Sequence, residues 1–343
     1  MFIIFLYLFP YFTYIGKKLK IIIIENNSII VIKFITMMQE YHVISYYVIN
    51  YTKIYKDTLI ILSSFNFKIK NINMIHNTKN YTRIMFSNYN NFECAIKKFH
   101  TNSYQNNFTY MPSYFDKSLK KLNPKLTNLI LGDYFNQSID NLSSNKTIKY
   151  LEFGNKFNKY VNNLPYLLTE LIFGDDFNQI VDNLPCSIIR LIFGYKFNQF
   201  VDNLPCSLTH LIFCDKFNQF VDNLPLLIIY LKFGCNFNKP IDNLPQSIIH
   251  LVLGQNFNQL VDNLPSSIIY LYFNCLGDFN NSINNLPCTI MYIKLPKTYY
   301  TVEKLYPNLK YIKCSKNTHF IKHKYYLDKN VNFEYIDLSI KYI

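Results

Sequence analysis

The chain has 343 residues, enough for two domains, and half of them are hydrophobic, with 30 Tyr, 30 Phe and no Trp. Its net charge of +13 lies in the flanks: residues 1–128 carry 16 basic and 5 acidic residues, residues 129–295 carry 10 and 13, and residues 296–343 carry 9 and 4. The slightly acidic middle argues against nucleic acid binding there, because phosphate neutralisation needs a clustered Lys/Arg face.

The first 36 residues form an apolar N-terminal segment. Residues 1–15 are almost entirely apolar but contain Pro10 and are shorter than the ~20 apolar residues of a membrane-spanning helix. They also lack the positive start of a signal peptide. Two interpretations stay open: a membrane anchor in residues 1–15, or a translation start at Met37 or Met38 that makes the upstream stretch spurious.

Residues 37–125 predict a small N-terminal or capping region of mixed α/β type. Apolar stretches from Val43 to Ile54 and from Thr58 to Ile69 are helix-like, and Asn-rich links follow them. The segment Arg83-Ile84-Met85-Phe86 is similar to the strand of the repeats described next. The repeat array could therefore begin before Leu129.

One phrase returns every 20 residues in the middle of the chain. A Leu-x-Phe-Gly segment is followed by Phe-Asn-Gln and then by Val-Asp-Asn-Leu-Pro. Such a short fixed period predicts a solenoid, here about eight coils of 20–22 residues over residues 126–295. Residues 307–312 predict one more strand inside a C-terminal cap and basic tail, residues 296–343. Regular copies begin at Leu151, Leu171, Leu191, Leu211, Leu231 and Leu251, and irregular terminal copies begin at Leu129 and Leu271.

Each coil is expected to contribute one short strand to a parallel sheet. Residues 188–193 are a β-branched and aromatic run, and period-2 alternation sends Leu191 inward while Arg190 and Ile192 point outward. Gly194 is expected to leave the strand with a positive φ. Identical strands would stack about 4.8 Å apart, so equivalent side chains form columns.

Repeated polar residues are predicted to be structural. The repeated Asn would satisfy turn backbone groups or bond to the Asn of neighbouring coils, and the Asp of each Asp-Asn pair would form an Asx turn. The sequence lacks the residue patterns of calcium-binding and zinc-binding sites. The eight cysteines are expected to be reduced thiols, although Cys186 and Cys206 would lie on adjacent coils near the distance of a disulfide bond. The predicted structural ladder is Asn158, Asn178, Asn198, Asn218, Asn238 and Asn258.

The outward columns of the sheet are the predicted partner-binding face. These positions vary within a fixed frame, and aromatic and Arg side chains dominate the energies of protein interfaces. No catalytic motif is found, so no catalytic residue, metal or cofactor is predicted, and the protein is expected not to be an enzyme. The first column reads Tyr150, Glu170, Arg190, His210, Tyr230, His250 and Tyr270, and the second includes Ile172, Ile192, Ile212, Lys232 and Tyr272.

The repeated phrase closely resembles the FNIP repeat, a leucine-rich-like repeat named for its Phe-Asn-x-Pro core. Phe237-Asn238-Lys239-Pro240 carries the core literally, and Leu184-Pro185-Cys186-Ser187-Ile188 carries its Leu-Pro-x-Ser-Ile opening. The resemblance covers about half the chain and implies a mainly β, right-handed coil. Such proteins are similar to those of social amoebae and of giant viruses that infect amoebae, whose AT-rich genomes the composition also fits.

Three functions follow as hypotheses. The first is a non-enzymatic, intracellular and cytoplasmic module (in the host cytoplasm if viral) that binds a protein partner through the sheet face. The resemblance suggests the second, a substrate receptor of an SCF-type ubiquitin ligase with a degenerate F-box in residues 38–125, although no Leu-Pro opening of an F-box is found. The third is a scaffold tethered to a membrane through residues 1–15.

Overall fold

The computed structural model describes six strands in the first 112 residues and then, with short gaps, residues 113–302, 306–315, 319–320 and 331–335. The chain forms two compact units, Met1–Gln137 and Ser138–Ile343. No helix in the described part of the chain is long and apolar enough to cross a membrane.

The first unit contains two groups of strands. One is an antiparallel three-stranded sheet, order β1-β2-β3. In the other, β4 pairs antiparallel with β5, β5 pairs parallel with β6, and β6 pairs parallel with β7, so that Ile84 lies opposite Leu129. The strands are β1 (Phe12–Ile15), β2 (Lys18–Glu25), β3 (Ser28–Lys33), β4 (Thr52–Tyr55), β5 (Thr58–Ile61), β6 (Arg83–Phe86) and β7 (Asn128–Ile130).

The strand expected at Arg83–Phe86 is confirmed, but the helix-like interpretation of two neighbouring stretches is wrong where the structure describes them. Residues 52–55 and 58–61 form β4 and β5. Short runs rich in β-branched residues fit a helix or a strand by periodicity alone, and pairing decides between them. Several other predictions concern residues outside those that the structure describes. These are the rest of both stretches, residues 1–11 of the possible anchor, Met37 and Met38, and most of the proposed F-box.

The second unit is a parallel-stranded solenoid. Its main sheet has the order β19-β17-β15-β14-β13-β12-β11-β10-β9-β8, and β16 pairs separately with β18. A short 3-10 helix spans Asp140–Ser144. The strands are β8 (Tyr150–Glu152), β9 (Glu170–Ile172), β10 (Arg190–Ile192), β11 (His210–Ile212), β12 (Tyr230–Lys232), β13 (His250–Leu253), β14 (Tyr270–Phe273), β15 (Tyr292–Lys294), β16 (Thr301–Val302), β17 (Tyr311–Cys314), β18 (His319–Phe320) and β19 (Asn332–Tyr335).

Strand pairing confirms the predicted leucine-rich-repeat-like solenoid. Leu191 of β10 lies opposite Leu171 of β9 and Leu211 of β11, so residues 20 apart are neighbours in space. The sheet continues past the regular copies, because β17 pairs in parallel with both β15 and β19. The extra strand predicted after the array is therefore present, shifted by a few residues.

The core is a set of stacked apolar columns. Leu191, Phe193, Phe197, Val201 and Leu204 are all buried, as are their counterparts in the neighbouring coils. The rings of Phe193 and Phe197 stack at 3.7 Å within one coil, and Phe193 lies 5.5 Å from the ring of Phe213 in the next coil. Each such buried side chain contributes about 1.5–3 kcal/mol, so the columns hold neighbouring coils together.

A glycine column is needed for close packing rather than for an unusual backbone angle. The prediction of a positive φ at Gly194 is wrong, since the φ of this residue lies outside the left-handed region. A Cβ on Gly194 would instead lie 2.0 Å from the carbonyl oxygen of Gly174, and a Cβ on Gly174 would lie 2.1 Å from that of Gly154. Stacking brings the backbones of successive coils close together at the end of each strand, and glycine leaves the room for this approach in most coils, whereas one coil has Cys214 at this position.

Asparagine side chains connect successive coils. The side-chain oxygen of Asn178 accepts a hydrogen bond from the backbone N–H of Asn198 at 2.9 Å, and that of Asn198 accepts one from Asn218 at 2.9 Å. The same bond links Asn158 to Asn178, Asn218 to Asn238, and Asn238 to Asn258. Each bond satisfies a backbone donor that lies outside the strands.

The Asp-Asn pairs also connect coils. The carboxylate of Asp202 accepts a hydrogen bond from the side-chain amide of Asn223 at 3.1 Å, and Asp222 accepts one from Asn243 at 3.1 Å. Both partners belong to the next coil rather than to the same turn. The Asp side chain therefore bridges coils, a contact that the Asx-turn prediction did not include.

Candidate functional site

Both predicted columns lie on the outer side of the sheet in the second unit. The central Leu of each strand is buried, while the residues on either side of it are half-buried or exposed, as in Arg190, Leu191 and Ile192 of β10. The strands from β8 to β14 all follow this pattern. The sheet thus brings all the predicted face residues into two adjacent columns.

The structure adds six residues to these columns that the repeat pattern missed. Tyr292, Tyr311 and Asn332 extend the first column, and Lys294, Lys313 and Glu334 extend the second. Spacing could not place them, because the 20-residue phrase breaks down after β14. A signal was present in the sequence, since Tyr-Ile-Lys occurs in both β15 and β17 and is similar to Tyr-Leu-Lys in β12.

Aromatic rings in the first column form a ladder from β11 to β17. The ring centroids of His210 and Tyr230 are 6.0 Å apart, and those of Tyr230 and His250 are also 6.0 Å apart. The rings of His250 and Tyr270 stack at 4.1 Å, and those of Tyr270 and Tyr292 at 4.5 Å. We call these residues, together with Tyr311 at 6.3 Å from Tyr292, the aromatic ladder.

A groove of about 860 Å³ lies over the C-terminal half of this face. Tyr270, Tyr292 and Tyr311 of the aromatic ladder line it, as does Tyr272 of the second column. Its charged lining comprises Asp215 and three lysines, Lys232, Lys294 and Lys313. The groove thus combines tyrosine side chains with a net positive charge.

The surroundings of the two ladder histidines disfavour their protonation. Partial burial, followed by the nearby positive charge of Arg190, lowers the pKa of His210. Partial burial, followed by repulsion from His210, lowers the pKa of His250. Below the ordinary histidine pKa, protonation would therefore place unfavourable positive charge in the middle of the ladder.

The acids and thiols of the described residues form no metal-binding group. No group of three or more His, Cys, Asp or Glu among the described residues could hold a metal ion. Cys186 and Cys206 are free thiols, and burial is the main cause that raises the pKa of the half-buried thiols of Cys214 and Cys235. A raised pKa disfavours the reactive thiolate, so these two groups are poor nucleophiles at neutral pH.

The repeat model that matches this chain is the FNIP Repeat, over residues 157–196, 177–216 and 237–276. The chain carries FNIP repeats. The matched residues lie within the solenoid that contains the sheet face. The resemblance read from the repeated phrase is therefore confirmed.

Comparison with solved structures finds a similar fold in a leucine-rich-repeat protein. The chain is similar to CroV588, a circular leucine-rich-repeat protein of a giant virus, with 26% identity, a TM-score of 0.50, and coverage of 79% of this chain and 48% of that one. The chain thus spans about half of the length of CroV588. It also matches an internalin (inlF) from Listeria monocytogenes, with 14% identity, a TM-score of 0.46, and coverage of 83% and 87%. A comparison with curated proteins gave no match.

The FNIP repeats also present an exposed column away from the sheet face, which the sequence did not suggest as a site. At the position of the Pro in Phe-Asn-x-Pro, one coil has Pro240 and the others have exposed apolar or aromatic side chains, Tyr160, Ile180, Phe200, Phe220 and Leu260, all 53–65% exposed. Phe220 lies under the ammonium group of Lys239 at 4.9 Å. This exposed column follows each Phe-Asn-Gln segment and lies outside the strands.

Proposed function

We propose that this protein is a non-enzymatic binding module that holds a protein partner against the sheet face of its FNIP repeats. The repeat fold is typical of protein–protein interaction. The observation that carries the proposal is the groove of about 860 Å³ over the sheet face, lined by side chains of both outward columns. A partner held there would rest on a rigid frame, because every strand beneath it is paired on both sides.

The residue types of the face support the same function. The first column consists of tyrosines together with Glu170, Arg190 and two histidines, and β-branched Ile residues occupy much of the N-terminal half of the second column. Tyr and Arg are the residues that most often carry the energy of a protein interface. The half-buried tyrosines are already ordered by ring stacking, so binding would cost little side-chain entropy.

The test is affinity capture of the tagged full chain from its native cells, followed by mass spectrometry, with a face variant and a matched control. The face variant carries Tyr230→Ala and Tyr270→Ala. The control carries Tyr160→Ala and Tyr166→Ala, which remove two exposed tyrosines from outside the strands. We expect specific partners to bind the wild type and the control but not the face variant.

Retention of every partner by the face variant would contradict this function. Circular dichroism and thermal melting of both variants verify that the solenoid is intact. Partners lost equally from both variants would also contradict it, because the sheet face would then have no special role.

A further inference from the structure

The lysines of the sheet face lie toward the C-terminal end of the second unit, whereas two of its acidic residues lie near the N-terminal end. Glu152 of β8 and Glu170 of β9 lie on it near the N-terminal end of the solenoid. Lys232, Lys294 and Lys313 occupy the third position of β12, β15 and β17 toward the other end. All three lysines line the groove, so its charge favours an anionic ligand.

Two of the three lysines are available to such a ligand. Lys313 forms a salt bridge with Glu334, whose carboxylate also accepts a hydrogen bond from the hydroxyl of Tyr311. No salt bridge holds Lys232 or Lys294 anywhere in the described part of the chain. Glu334 offsets the charge of Lys313 and acts less strongly on Lys294, and Asp215 also lines the groove. Lys232 and Lys294 are therefore the groove lysines that lie outside a salt bridge.

The geometry of the aromatic ladder favours a peptide over a single-stranded nucleic acid. Nucleic acid binding without sequence preference depends on bases that stack on open aromatic faces. Here the ring of Tyr270 is covered on both sides, at 4.1 Å by His250 and at 4.5 Å by Tyr292. The ladder therefore presents ring edges and hydroxyl groups, which suit hydrogen bonding and side-chain packing.

The distance between the two available lysines sets a spacing for the ligand. Lys232 and Lys294 are separated by three strand-to-strand steps, through Val252 and Tyr272. At about 4.8 Å per step, this distance is roughly 14 Å. In an extended peptide, residues i and i+4 point to the same side and lie about 13 Å apart.

We propose that the groove binds an extended acidic peptide segment of a partner protein, with Asp or Glu at positions i and i+4 opposite Lys232 and Lys294. This inference rests on the proposed function and names the chemistry of the partner. The side chain at i+2 points the same way and lies over Val252 and Tyr272, where an apolar residue fits. The peptide runs across the strands, along the axis of the solenoid.

The test uses the full chain and a fluorescein-labelled, end-capped peptide, Ser-Glu-Thr-Leu-Thr-Glu-Ser, in a fluorescence anisotropy titration. A second peptide of the same composition, Ser-Glu-Thr-Leu-Glu-Thr-Ser, places the two Glu at i and i+3. We expect the first peptide to bind about threefold or more tighter than the second, because only the first matches the lysine spacing. Equal binding of the two peptides would overturn the spacing.

Lysine variants test the contacts directly. The combination Lys232→Ala with Lys294→Ala should weaken binding of the first peptide about tenfold or more, since both carboxylates lose their partner. The control Lys216→Ala with Lys239→Ala makes the same change in charge outside the groove and should change binding by less than about twofold. Equal losses in the two variants would overturn the proposal.

Two further outcomes would also overturn it. One is the absence of peptide binding to the wild-type chain. The other is binding of a 20-nucleotide oligothymidine more tightly than the peptide and in competition with it. In either case, loss of captured proteins from the Tyr230→Ala, Tyr270→Ala variant would still support the sheet face as a partner site, so the two proposals can fail separately.

Discussion

At the scale of single residues, the repeated Asn is a hydrogen-bond acceptor that each coil offers to the next. The side-chain oxygen of Asn198 accepts from the backbone N–H of Asn218 and from the side-chain amide of Gln219, at 2.9 and 3.2 Å. In the first unit, the carboxylate of Asp116 likewise accepts hydrogen bonds from the backbone N–H of Asn136 and from the side-chain amide of Gln137, both at 2.8 Å. An acceptor oxygen is therefore the essential feature of this position.

We expect Asn198→Ala to lower the free energy of unfolding by about 1–3 kcal/mol, because a part-buried backbone donor loses its partner. Asn198→Asp keeps the acceptor and should cost less. Urea denaturation of the two variants measures the difference. A larger loss in Asn198→Asp would show that charge, rather than the acceptor, decides this position.

The glycine column gives a second prediction for single residues. Gly194→Ala should be strongly destabilising, by about 2 kcal/mol or more, because the new Cβ would lie 2.0 Å from a backbone oxygen that cannot move alone. Cys214 occupies the same column and already carries a Cβ, so Cys214→Ala is the matched control and should cost less. Thermal melting compares them, and similar melting temperatures would contradict the close-contact explanation.

The two ladder histidines predict a pH dependence of stability. Their folded-state pKa values lie below the ordinary value of 6.5, so the unfolded chain binds more protons. The free energy of unfolding should therefore fall as pH drops through about 6.5, and the fall should level off below the lowered pKa values. Urea denaturation between about pH 7.5 and 5.5 measures this, and His210→Gln with His250→Gln should reduce the slope.

At the scale of the coil, the two Phe columns form one continuous apolar stack. Phe193 contacts Phe197 in its own coil and Phe173 and Phe213 in the adjacent coils, with ring centroids 3.7 to 5.7 Å apart. The native chain has Leu253 at the equivalent position of β13, and that Leu is also buried. The column thus requires apolar volume rather than a ring at every position.

Phe193→Ala should cost about 3–5 kcal/mol, because it leaves a cavity shared by three coils. Phe193→Leu should cost less than half as much, since Leu occupies this column in β13. Chemical denaturation of both variants gives the comparison. A Leu variant as unstable as the Ala variant would mean that ring stacking, rather than volume, holds the coils together.

At the scale of the whole second unit, each coil contacts mainly the coils beside it. Equivalent residues pair 20 apart from β8 to β14, so one coil can be removed in register. Deleting residues 191–210 should leave a β-rich, cooperatively unfolding protein whose Tm falls by no more than about 10 °C. Deleting residues 191–200 instead breaks the register and should abolish cooperative unfolding. Circular dichroism melts distinguish the two, and equal damage by both deletions would contradict nearest-neighbour stacking.

The sequence by itself determined the solenoid, its register and its core. Leu, Phe and Val recur at fixed intervals along the sequence, which predicts the coils, and the alternation of residues within each short strand shows which side chains point inward. The outward columns up to Tyr272 were readable for the same reason. The repeat pattern was sufficient for this prediction because each regular coil packs against coils of nearly the same sequence.

Only the tertiary structure decided the rest. The role of Gly194 depends on how closely two backbones approach, and that distance is a property of the stack rather than of one coil. Lys294 and Lys313 joined the groove through strand pairing beyond the regular repeats, where no period marks their place. A sequence repeat fixes what lies on each coil, whereas a groove is formed by several coils together, and its shape and charge arise only when they are stacked.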